Sequence, residues 1–142
     1  MRIAAAAVVL AWLTMLSCYD LRQRRLPNWL TLPGAAVILA GAACVGDGLP
    51  ALAGAAGLTG LYLAVHLITP AAMGAGDVKL AIGLGGLCGC FGAAQWFLAA
   101  LAAPLLTALF GLLALTRGAR SVPHGPSMCV ASAWAAGSAL LG

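Results

Sequence analysis

Apolar residues run along this chain in long stretches broken by short polar turns. They follow neither the alternation of a half-buried strand nor the one-sided stripe of a surface helix. The first stretch is Ile3 to Tyr19, the second Trp29 to Val45 and the third Leu52 to Thr69. The next, Leu80 to Thr116, carries no charge and is about twice as long. At a rise of about 1.5 Å per residue against a hydrocarbon core of about 30 Å, it holds about two spans. The break between them is expected near Gly89-Cys90-Phe91-Gly92, leaving a short, glycine-rich fourth helix in which Gly85 and Gly89 allow close helix approach. Ser127 to Leu141 forms a short last run. The pattern predicts an all-α, polytopic transmembrane bundle of about six spans, with residues 1–142 forming one membrane-embedded domain.

Composition agrees: 63% of residues are hydrophobic and 7% charged, which excludes an ordinary soluble domain. The net charge of +4 reads as topology rather than as nucleic-acid binding. Six spans put Arg22, Arg24, Arg25, Lys79, Arg117 and Arg120 on one side and only Arg2 on the other. Basic loops stay in the cytoplasm, so both termini are expected outside, and Asp47 with them. The first run also has the look of a signal peptide, and Met15-Leu16-Ser17-Cys18 hints at a lipoprotein cleavage box. The strongly basic segment that follows favours an uncleaved span. Five cysteines (Cys18, Cys44, Cys88, Cys90 and Cys129), none in a C-x-x-C pair, read as small core residues rather than as a disulfide framework or zinc site.

Two of the three acids stand out against this background. Asp77 lies in the turn Gly74-Ala75-Gly76-Asp77-Val78-Lys79-Leu80, and between Gly48 and Thr116 only Asp77 and Lys79 are charged. Asp20 ends the first apolar run. An ionisable group at a membrane segment is a functional hypothesis by default. By the predicted topology both acids lie at cytoplasmic ends of spans, at one depth, where helix packing can bring them together. Like charges a few ångströms apart do not both ionise easily, so one acid stays protonated. The ionised member can then take a proton from water while the other polarises a peptide carbonyl. That chemistry needs neither metal nor cofactor. Gly74 and Gly76 are expected to let the backbone turn tightly, so that a substrate chain approaches the carboxylate.

The remaining polar residues have simpler readings. Lys79 is first a cytoplasmic anchor. Pro27 and Asn28 shape the entry to the second span beside Asp20. His66 and His124 are expected to be packed or interfacial rather than reactive, and the arginines between Asp20 and Pro27 to fix topology. No internal repeat relates the two halves, which weakens a two-fold transporter design.

Tyr19-Asp20, the basic loop ending in Leu26-Pro27-Asn28, and Gly74-Ala75-Gly76-Asp77-Val78-Lys79 together resemble the two active-site segments of type IV prepilin peptidases. The similarity is greatest to the small form found with tight-adherence pilus systems. Pro123-His124-Gly125-Pro126 resembles a further, less specific feature of that family. A presenilin-like protease also joins Tyr-Asp to G-x-G-D, but the first loop and the small size fit the prepilin enzymes better. The resemblance implies a multi-pass aspartic endopeptidase of a bacterial or archaeal plasma membrane, acting in pilus biogenesis. It would remove the basic leader of prepilin-like proteins at the cytoplasmic face. Asp20 and Asp77 would be the catalytic pair, with Gly74, Gly76, Lys79, Pro27 and Asn28 shaping the site. The cysteine-rich insertion of larger, methylating members is missing from this sequence. The rival expectations are a small multi-pass transporter and a non-enzymatic membrane assembly protein.

Overall fold

A computed structural model describes residues 2–119 and 121–142, with Arg2 described by its backbone only. Arg120, and the side chain of Arg2, both used above to orient the chain, therefore lie outside the described residues. Six helices follow in order: α1 (Arg2–Gln23), α2 (Asn28–Val45), α3 (Gly48–Ile68), α4 (Ala75–Gly89), α5 (Ala93–Leu115) and α6 (Gly125–Leu141). There is no strand among the described residues. From Ile3 onward α1 is long and apolar enough to cross a membrane, as are α2, α3 and α5. The break expected at Gly89–Gly92 is where α4 ends and α5 begins. The first helix, in contrast, runs four residues past Tyr19 and takes in Asp20.

The outward faces are apolar: Val37, Leu52, Leu101, Leu112 and Trp134 are all exposed. In water such a surface would be costly; in a bilayer it meets its proper solvent, while the helices satisfy their own backbone groups. The protein is thus a helical membrane protein, and its interior is marked by small size rather than by greater hydrophobicity.

The shortest helix is the central one. α4 packs against α2, α3, α5 and α6, and Leu80, Ala81 and every residue from Gly83 to Gly89 are buried. Glycine makes this possible. A Cβ on Gly85 would stand 2.5 Å from the Gly54 carbonyl oxygen, and one on Gly89 would stand 2.5 Å from that of Pro50. α3 and α4 therefore touch backbone to backbone, as the Gly85–Gly89 spacing leads one to expect.

On the other side, Trp12 of α1 fills the space left by Gly34 of α2 and Gly83 of α4, where a Cβ on either glycine would overlap the indole. Its Nε1 donates to the Leu30 carbonyl at 2.9 Å. Trp96 of α5 likewise donates to the Gly54 carbonyl at 2.9 Å. Two tryptophans thus lock glycine-lined helices whose small residues alone would leave them free to slide.

Candidate active site

Asp20 sits in the last turn and a half of α1 and is only 6% exposed. Its Oδ2 accepts the backbone N–H of Gly125 at 2.9 Å. Gly125 is the first residue of α6, so the carboxylate lies at the positive end of that helix, where free N–H groups favour an acid. A Cβ on Gly125 would come within 2.5 Å of Oδ2 and 3.0 Å of Cγ, so the contact requires glycine. α1 ends three residues beyond Asp20, at Gln23, and the next residue, Arg24, has a φ of 50°, unusual for a residue other than glycine or asparagine. The Arg24 guanidinium donates to the Ser121 hydroxyl and carbonyl. This ties the end of α1 to the segment entering α6, a role beyond the topological one expected of the arginines.

Asp77 is the third residue of α4. Its N–H donates to the Gly74 carbonyl at 3.1 Å, which places the acid in the first turn with its side chain half-buried. Asp20 and Asp77 are within electrostatic reach of each other, and Tyr62 of α3 is within reach of Asp77.

The two glycines of this segment have different surroundings. Neither has a positive φ, and Gly74, at φ −75° and ψ 152°, adopts extended backbone open to any residue. Gly76 is closely packed, since a Cβ there would stand 3.2 Å from that of Leu26. The α1–α2 loop thus packs beside Gly76 through Leu26.

That loop meets the glycine turn at a second point. Lys79 Nζ donates to Asn28 Oδ1 at 2.8 Å. Pro27 caps α2 in extended conformation, and its carbonyl accepts the N–H groups of Leu30 and Thr31, each at 3.1 Å. Pro27, Asn28, Gly76 and Lys79 therefore form one joint between the segment after Asp20 and the segment holding Asp77. Gly74 takes no part in it.

His66 is packed as expected, with Nδ1 at 2.7 Å from the Met73 carbonyl. His124 is more deeply engaged than a loop residue would be. Its Nε2 lies 3.0 Å from the Tyr62 hydroxyl, and its Nδ1 is hydrogen-bonded to Thr107 Oγ1. Burial pushes the imidazole pKa below its ordinary value, favouring the neutral ring. Tyr62, Thr107 and Gly125 complete the surroundings of the acids but were not singled out from sequence. Only the Pro123–Pro126 segment gave a signal, and Tyr62 and Thr107 look like ordinary residues of apolar helices. The five cysteines are free thiols. Among the described residues no three His, Cys, Asp or Glu side chains are grouped as metal ligands would be.

A family model described as the type IV leader peptidase family matches residues 7–113. The chain belongs to the type IV leader peptidase family. The matched region contains Asp20, the α1–α2 loop and the whole glycine turn, so the two acid-bearing segments lie inside what defines these peptidases. α6, with the Gly125 amide that reaches Asp20, lies beyond it. No curated protein and no solved structure gives a significant match to this family member.

Proposed function

We propose that this leader peptidase is an aspartic endopeptidase that uses Asp20, Asp77 and a water molecule to cut the basic leader from prepilin-like proteins at the cytoplasmic face of the plasma membrane. The observation that carries the proposal is the pairing of a buried Asp20, held by the Gly125 amide, with an Asp77 in its electrostatic reach. Two such carboxylates share a proton more readily than they hold two charges. The ionised one takes a proton from water as its oxygen attacks the scissile carbonyl, and the protonated one gives its proton to the carbonyl oxygen. Collapse of the tetrahedral intermediate then breaks the C–N bond, and the leaving amine takes up a proton from the pair. The substrate's apolar helix enters from the bilayer and presents its leader junction at the surface. In this reading six spans leave both termini outside, residues 1–142 are one catalytic domain, and the joint of Pro27, Asn28, Gly76 and Lys79 sets the distance between the acids. Gly74 meets Asp77 through its backbone, its carbonyl accepting the Asp77 N–H.

Co-expression with a prepilin tests the proposal, with leader loss followed by gel shift. Asp20→Asn and Asp77→Asn should each abolish processing while the protein remains inserted, and Asp47→Asn should process normally. A transporter would retain its dependence on the proton gradient and show no leader loss. An assembly protein would tolerate both site substitutions together. Processing that survives either Asp20→Asn or Asp77→Asn rules the mechanism out.

A further inference from the structure

The start of α6 is held by a histidine between two hydroxyls, and the directions of these hydrogen bonds can be deduced. Thr107 Oγ1 lies 3.0 Å from the Ala103 carbonyl, to which it donates its only proton. Toward His124 the same oxygen can therefore only accept, so the imidazole proton is on Nδ1. A neutral ring protonated at Nδ1 has an unprotonated Nε2, which must accept from the Tyr62 hydroxyl. His124 thus joins α3 and α5 with one donated and one accepted bond, while its own backbone immediately precedes the Gly125 N–H that rests on Asp20. Tyr62 is in turn the α3 residue within reach of Asp77.

We propose that His124 is a positioning residue for the aspartate pair: by bridging Tyr62 and Thr107 it fixes the Gly125 amide on Asp20 and holds Tyr62 within electrostatic reach of Asp77. The inference rests on the catalytic reading of the two acids. It adds that their geometry is set by α6, outside the family-matched region. The charged or titratable groups facing this arrangement are Asp20 and Arg24 from α1 and its end, Tyr62 from α3, Asp77 from α4 and Cys129 from α6. His124 touches no substrate and transfers no proton in this scheme.

The test uses the full-length protein in detergent with a purified prepilin. His124→Ala should lower kcat by about ten- to a hundredfold, the scale of a misplaced catalytic group, with KM nearly unchanged and the pH–rate profile displaced. His124→Gln, which retains an acceptor for Tyr62, should recover part of the rate. If His124→Ala does not insert, Tyr62→Phe and Thr107→Val, which each remove one hydroxyl at similar volume, carry the same expectation. Infrared titration of the carboxyl groups, which needs no substrate, should show a displaced midpoint in His124→Ala. An unchanged rate and profile would overturn the proposal. So would a lower rate with an undisplaced profile and no recovery in His124→Gln, which would leave His124 a fold-stabilising residue only. Processing by Asp20→Asn or Asp77→Asn would instead refute the catalytic reading, whatever the infrared midpoint does.

Discussion

At the scale of single residues, the site depends on where a side chain is missing. The Asp20 carboxylate occupies the volume that a Cβ on Gly125 would need, so Gly125→Ala must push the acid away or rotate the first turn of α6. Leader cleavage should fall by about a hundredfold, since a displacement of about 1 Å is enough for that, while membrane levels stay normal. His124 gives a second expectation. Its imidazole is held below the ordinary 6.5 by burial, so between that lowered value and 6.5 the unfolded chain binds more protons than the folded one. Stability should therefore rise with pH across that window and be lost as pH falls through it. Thermal unfolding in detergent from pH 7 to pH 5 would show the slope, and His124→Gln should flatten the share due to this group. The contrast between Gly125 and Gly74 also shows what sequence could and could not convey. The G-x-G-D pattern lies inside the family-matched region, but the backbone there needs no positive φ, and the glycine whose Cβ would overlap a candidate carboxylate, Gly125, lies in α6.

At the scale of elements, α4 is a short helix made central by its neighbours. With Gly83, Gly85, Gly86 and Gly89 closely packed against its neighbours, its position is set by backbone approach and by the two tryptophans that close the gaps. Gly85→Ala would place a methyl group against the Gly54 carbonyl and Leu58 Cβ, and overpacking of this kind costs about 1–3 kcal/mol. A lower unfolding midpoint in detergent should follow, with cleavage reduced in proportion as Asp77 moves with α4. Replacing Gly41, whose Cβ would meet nothing within 4 Å, should leave both unchanged. The breaks between helices were legible from the polar turns, because glycine and proline punctuate the apolar runs, although α3 starts at Gly48 rather than Leu52 and α4 at Ala75, which makes most of the expected glycine turn helical. The extension of α1 through Asp20 was not legible, because Asp-Leu-Arg-Gln reads as a polar loop when the burial that α6 provides is out of view.

At the scale of the whole molecule, the family membership, the apolar exterior and the helical spans define a membrane peptidase. The arrangement of charges adds an orientation that can be checked. If the basic loops face the cytoplasm, alkaline phosphatase fused after Gly142 should be active, and a fusion in the loop after Gln23 should be inactive. The reverse pattern would move both aspartates to the outer face and remove them from the leader of a prepilin. Sequence conveyed the helical, apolar character best, since hydropathy is summed over many residues. It conveyed the meeting of α1 with α6 least, because the contact joins residues 105 positions apart through a single amide.

The central claim is that two aspartates carry out the cleavage, and single-turnover leader release in liposomes tests it most directly. Wild type, Asp20→Asn, Asp77→Asn and Asp47→Asn would each be reconstituted with excess enzyme over a purified prepilin. The account predicts release by wild type and Asp47→Asn, and none above the uncatalysed background by either of the other two. Leader release by Asp20→Asn or by Asp77→Asn at a rate near wild type would contradict it.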